Sequence, residues 1–448
     1  MIKSLSKKPL THKYKNKKDQ HCFETRIKAT FCDNFIFCSA VCLLLIINND
    51  LVYLLAQTQS VFLKLNFFNS LSILFIILLA SCVEAYWPTI DKYENRLVVD
   101  GGITDQPGPY TIRLSLSSSI DSAIYKPFVN CELVINDEEG TSETLNEVEP
   151  GVYMTNIDGI KGETGKSYQL TIHTPSDRVY RSGFEELLAG EKIDSVYGRI
   201  EYREVEEYDY NLQGYQFYVD TKLAEKDTNN YLWRLEATFH YQSDYTIRWI
   251  FDGELNWFHG PDSLFNCWKT YVVEDFFSMS TRSLSTPKIV AYPLHFVNTE
   301  TRQLSVKYSL LVRQYTLNQN AFKFWDALRE QNASSASLYA VQPYQIRGNI
   351  YNVDDPNEPV LGYFLVAGLD EKRIFVDRPK YPVEFNYSVC TLSDRDFEAY
   401  SEMYMDDPVT YPIYAIETNG GRRAVPHKAC TDCREKGGII AKPDFWED

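Results

Sequence analysis

The residues of this chain best placed to do chemistry are its cysteines. Leu79-Ala80-Ser81-Cys82 closes residues 71–80, ten positions without a charge, a length that suits the apolar region of a secretory signal. A small-residue pair before a cysteine resembles the bacterial lipobox, in which that thiol is acylated and becomes the first residue of the mature protein. Each buried CH₂ contributes roughly 0.8 kcal/mol, so two or more acyl chains hold a protein stably on a bilayer. The alternative is an uncleaved membrane helix, since residues 65–83 carry no charge and are just long enough to span. Both readings place everything after Cys82 outside the cytoplasm.

A second constellation is His427-x-x-Cys430-x-x-Cys433. Such a pair can hold zinc in tetrahedral sulfur coordination, with His427 and Cys390 completing four ligands. It can also stay reduced or close a disulfide, and outside the cytoplasm the disulfide is the simplest of the three outcomes. Haem attachment would need His directly after the second cysteine, where Arg434 stands. Beyond Cys82 the cysteines are Cys131, Cys267, Cys390, Cys430 and Cys433; five is odd, so at least one is unpaired if the others bridge.

Other motifs fall to plainer readings. Gly162-Glu163-Thr164-Gly165-Lys166-Ser167 looks like a phosphate loop, but Ile160 occupies the position of the first glycine and no helix follows, so a β-turn is expected. The acidic run 201–209 and the Asp354-Asp355-x-Asn357-Glu358 turn lack the ligand spacing of a Ca²⁺ loop and read as solvated charge. There is no Gly-x-Ser-x-Gly and no His-Glu-x-x-His. The histidines after Cys82 (His173, His240, His259, His295 and His427) have no sequence-local nucleophile. The expectation is a non-enzymatic protein with no cofactor and no resident metal. Trp233, Trp249, Trp257 and Trp268 could line a groove for a glycan or peptide, although strand alternation alone sends half of such side chains into a core. Phe445 and Trp446 near the chain end are expected to dock on the protein's own surface; the sharper alternative is an aromatic anchor for a partner.

Charge and length bound what positions these residues. The chain has 448 residues and a formal net charge of −16; ten of its 45 Lys/Arg and four of its 61 Asp/Glu precede Cys82, which leaves −22 on residues 82–448. Such a surface repels nucleic acid and anionic headgroups, so nucleic-acid binding is not expected and membrane attachment falls to the anchor. Residues 1–34 are basic and residues 35–47 form a first, short apolar run. A lipoprotein signal ordinarily begins about twenty residues before its cysteine. No methionine lies between Met1 and Met154, and the reading is a misplaced start with translation beginning near residues 61–64. The rival is a real basic extension carrying a hairpin of apolar segments.

Periodicity then divides the chain into an extension and signal region (1–81), a tether (82–93) and two bodies. In 94–190 short strands at 97–99, 110–115, 131–135, 152–155 and 168–173 are separated by turn residues, the spacing of a β-sandwich. In 191–448 longer strands are expected at 196–205, 216–223, 232–241, 246–251, 288–297, 304–314, 342–353, 360–367 and 372–375. One helix interrupts them at 319–330, capped by Asn318 and apolar at Ala321, Phe324, Trp325 and Leu328. From 378 onward the pattern is weak, as for an irregular tail wrapped over the sandwich. The fold class is all-β: two β-sandwich domains, the second larger and carrying the helix and tail.

Six blocks, 97–122, 151–155, 165–174, 193–198, 343–368 and 430–446, stand in an order that resembles the Bacteroidota outer-membrane lipoproteins catalogued as domain of unknown function 4249. The resemblance implies an immunoglobulin-like first domain and residence at the outer membrane, on its periplasmic face or at the cell surface. It also implies an accessory or ligand-capturing role beside a TonB-dependent β-barrel receptor. It lends no activity. The competing expectations are a structural or adhesive envelope lipoprotein and, less favoured, a glycan or peptide hydrolase.

Overall fold

The strand Asn230–Gln242 shows how the sequence builds the fold. Its odd positions Tyr231, Trp233, Leu235, Ala237, Phe239 and Tyr241 are buried in one core, while its even positions face the other side of the sheet. A computed structural model of the chain describes residues 95–447 apart from 119–123, 206–207, 223–228, 260–261 and 336–344. Residues 1–94, with Cys82, the Leu79-Ala80-Ser81 lipobox and the 82–93 tether, lie outside the described residues.

The protein is mostly β with one long helix inserted among the strands. A nine-stranded sheet forms the backbone of the architecture. Its strands run in the order Asn266–Ser280, Asn230–Gln242, Lys307–Leu317, Leu361–Asp377, Leu97–Thr104, Thr111–Leu116, Val152–Met154 and Asn146–Glu149, with Lys126–Pro127 added to Thr111–Leu116. Over its amino-terminal half lies a six-stranded sheet built around Glu132–Asp137 and Ser167–His173. Over the other half lies a three-stranded sheet of Ile193–Arg203, Leu212–Thr221 and Tyr292–Asn298. Each half has its own core, one containing Val99, Ile112, Leu133, Tyr153 and Ile172, the other Phe217, Trp233, Tyr308 and Val312.

The boundary expected at 190–191 therefore separates two cores but not two sheets, and residues 92–448 form one compact unit. The first strand, Leu97–Thr104, pairs in parallel with Leu361–Asp377, from Val98 opposite Leu361 to Thr104 opposite Ala367. That late strand is a single 17-residue element where two strands were expected. Its even residues Phe364 and Val366 enter the first core, and Ile374 and Val376 pack against the second. Charged Asp370 and Glu371 hid the continuity: Asp370 meets the linker between the two cores, and Glu371 pairs with Arg313 on the outer face. Gly362 has φ +86° and a Cβ there would meet the Val99 carbonyl at 1.9 Å, so only glycine lets the parallel pair close. At Gly368 a Cβ would meet the Gly190 amide at 2.2 Å, where the linker between the halves crosses. Asp105 fixes that crossing by accepting from the Leu369 and Gly190 amides at 2.8 and 3.1 Å. Asp370 does the same from the Ile193 amide and Lys192 Nζ, both at 2.8 Å.

The helix runs Gln319–Ser335, a turn longer than expected, with the Asn318 side chain accepting from the Asn320 and Ala321 amides at 3.0 and 2.9 Å. Its Ala321, Phe324 and Trp325 cover Leu232, Leu317, Tyr363 and Ala367 on the outer face of the large sheet. The tail is more ordered than its composition suggests. It adds a second helix, Asp394–Glu402, and the strand Ile413–Glu417, which pairs with Trp249–Phe251 in a small four-stranded sheet. Lys166 of the phosphate-loop look-alike is an ion-pair partner of Glu139 and Glu163 at 3.1 and 3.3 Å, in a turn before a strand.

Candidate ligand groove on the shared sheet

The outer face of the large sheet is covered at two places and open between them. Along Asn230–Gln242 the outward side chains are Leu232 under the helix, Arg234, Glu236, Thr238 and then His240 under the tail. At the tail end Trp446 is buried, its ring edge-on to Phe375 at 5.4 Å and to His240 and Trp268 at 6.4 Å. Phe445 lies 3.6 Å below the Arg373 guanidinium. These two aromatics thus dock on the protein's own surface. Between tail and helix lies a groove of about 620 Å³ that reaches from Arg234 across Arg313, Tyr315 and Glu371 to Asp100 and Arg113, with Trp325 on its helix side. It crosses the seam where the two halves share strands.

The charges in this region are unequal. Arg234 and Arg313 stand directly opposite each other in register, an arrangement that costs free energy unless carboxylates intervene. Arg313 is served by Glu371 at 2.7 Å and Glu236 at 3.4 Å, and Glu236 also takes Arg373 at 3.4 Å. Arg234 is left with π faces: its guanidinium lies 4.8 Å from the Phe276 ring and 5.6 Å from Trp325. No carboxylate or other acceptor takes its N–H groups among the described residues. Burial raises Tyr315 above the usual tyrosine range against the opposing pull of Arg313 and Arg234, so its hydroxyl stays protonated at neutral pH.

The cysteines and tryptophans singled out in sequence are placed differently. Cys430 and Cys433 do not bridge each other. Cys433 pairs with Cys267, Cα atoms 5.7 Å apart, and Cys430 with Cys390 at 5.9 Å. All four sulfurs are thereby consumed, so the zinc set with His427 is not assembled; among the described residues no cluster of three metal-ligating side chains exists. His427 is exposed and its Nδ1 accepts from the Ala429 amide at 3.2 Å. Cys131 is free, half-buried, and its thiol is pushed up to about 11 by burial. The four tryptophans do not converge on one surface. Trp233 is 0% exposed and donates to Gln314 at 2.9 Å; Trp249 is 3% exposed; Trp257, tilted against it at 5.2 Å, is 59% exposed. Trp268 is stacked on His240 at 4.8 Å beneath the tail. Strand alternation buries Trp233 and Trp249, and the tail covers Trp268 in part.

Arg234, Arg313 and Tyr315 were not expected as a site. The available signal was a row of charged residues at the outward positions of otherwise core-forming strands. A second cleft, about 700 Å³, opens where the three-stranded sheet splays from Leu361–Asp377, with Ile200, Tyr202 and Tyr215 facing Phe375 and Tyr381. Its charged residues are Asp377, Arg378 and Lys380.

Residues 83–373 match the family described as domain of unknown function 4249, and the chain belongs to that family. The match spans both cores and ends inside the shared strand Leu361–Asp377, ahead of the disulfide-held tail. Among curated proteins no significant match exists.

Proposed function

We propose that this protein is a non-enzymatic, lipid-anchored capture protein of the bacterial outer membrane, acylated at Cys82 and working beside a TonB-dependent β-barrel receptor. The observation that carries the capture role is the groove on the shared sheet: a concave site on rigid strands whose Arg234 has no acceptor among the described residues. Arginine, tyrosine and tryptophan side chains converge there, a set suited to holding a ligand. The one glutamate among them, Glu371, is committed to Arg313. The extracytoplasmic setting is supported by the two disulfides, which persist in oxidising compartments. The Bacteroidota setting and the receptor partner come from the resemblance alone.

The test begins with Cys82→Ser in the native host. Metabolic palmitate labelling and recovery in the outer-membrane fraction are expected to be lost together; unchanged labelling overturns the anchor. Affinity purification of the native protein from solubilised outer membranes is then expected to bring down a β-barrel receptor. Its repeated absence favours a structural or adhesive role.

A further inference from the structure

We infer that the groove on the shared sheet binds an organic carboxylate with an apolar or aromatic body, and that Arg234 is the residue that receives the carboxylate. The inference rests on the capture reading but not on the anchor or the receptor. In a chain of net charge −16, this stretch of sheet holds three guanidiniums, Arg234, Arg313 and Arg373, against two carboxylates, Glu236 and Glu371. The ion pairs use both carboxylates on Arg313 and Arg373. Arg234, which none of these ion pairs reaches, lines the groove.

Its geometry suits a planar anion. Stacking over Phe276 and Trp325 immobilises the guanidinium by its face and leaves its N–H edge to form a two-pronged contact. Tyr315 lines the groove with Arg234 and Arg313, and its hydroxyl makes no hydrogen bond among the described residues, so it adds a third donor. Beside these donors lie Trp325, Tyr363, Leu365 and Leu369, an apolar and aromatic wall for the rest of the ligand. Arg113, exposed and without an ion-pair partner among the described residues, and Asp100 also line the groove, on the first two strands. A bound carboxylate would relieve the Arg234–Arg313 opposition by the same route that Glu371 relieves it on the other side.

The experiment uses the intact protein and two probes: a mixture of N-acetylated tripeptides with free C-terminal carboxylates, and phenylpropionate, each compared with its amide. Binding is read by tryptophan fluorescence and by calorimetry. Both amides are expected to bind at least tenfold more weakly than their acids. Arg234→Gln is expected to abolish the acid–amide difference, whereas Arg422→Gln, in the tail's turn before the strand Arg423–Ala424, leaves it intact. Tighter binding of the peptide acids identifies a peptide C-terminus as the source; equal binding identifies small carboxylates. Acid and amide binding alike, no binding of either acid, or undiminished binding by a folded Arg234→Gln protein overturns the inference. Thermal melts of the variants establish that they fold. Failure here leaves the receptor co-purification untouched, so the two readings fall separately.

Discussion

Single side chains divide into those that hold the fold and those left over for a ligand. Trp233 belongs to the first group. It stacks on Tyr231 and Tyr292 at 5.7 and 4.8 Å and its indole N–H is satisfied by Gln314. Trp233→Ala is expected to cost about 3–5 kcal/mol, the range for truncating a buried aromatic, seen as a lower urea midpoint. A change below about 1 kcal/mol would mean the core had collapsed around the site. Its neighbour Arg234 differs by one position in sequence and by a whole face of the sheet. Alternation made that division readable in principle, since Arg234 and Glu236 interrupt the buried series. What could not be read was which outward residues would be covered, because the covering tail lies two hundred residues further on. Cysteine pairing was hidden for the same reason: the short Cys430–Cys433 spacing pointed to a local bridge, whereas both sulfurs reach distant partners.

At the scale of elements, the shared strand and the tail decide how cooperative the molecule is. Gly362→Ala would place a methyl group against the Val99 carbonyl in a left-handed conformation. It is expected to lower stability by more than about 1 kcal/mol and to weaken both cores in one transition, measured by urea unfolding followed with two probes. The edge strand Asn266–Ser280 was not anticipated. Its register slips between Trp233 and Leu235, and Glu274 and Asp275 stand exposed at the irregularity, which erases the alternation a strand ordinarily shows and also discourages edge-to-edge association. The helix, by contrast, was legible from Asn318 and the apolar spacing, because its cap and buried face are local. The tail closes the start of that edge through reciprocal hydrogen bonds between Trp268 and Ile439 at 2.8 and 2.9 Å. The two disulfides close separations of 166 and 40 residues. Each is expected to contribute roughly 2–4 kcal/mol, so Cys267→Ser is expected to lower the melting temperature and to speed proteolysis after residue 378.

Across the whole molecule, acidic residues outnumber basic ones by sixteen, and several are held ionised by the fold. Burial alone would raise Asp432, but the hydrogen bonds and charge of Arg434 outweigh it and hold the carboxyl below its ordinary range. Glu147 is lowered chiefly by the Gly151 amide. A carboxyl depressed in the folded state stabilises above its unfolded value and loses that contribution as pH falls through the folded one. Stability is therefore expected to hold from neutral pH to about pH 5 and to decline steadily below it, measured as urea midpoints at successive pH values; a flat profile to pH 3 would contradict this.

The parallel seam also sets an order of events at birth. Leu369 and Asp105, hydrogen-bonded across the junction, are 264 residues apart, and Phe364 and Val366 complete the amino-terminal core from the same late strand. A nascent polypeptide thus carries an unzipped strand margin through most of its elongation, open to adventitious pairing. The half that is synthesised first cannot close its core until residues 361–367 emerge, and a holdase chaperone has its natural client surface there.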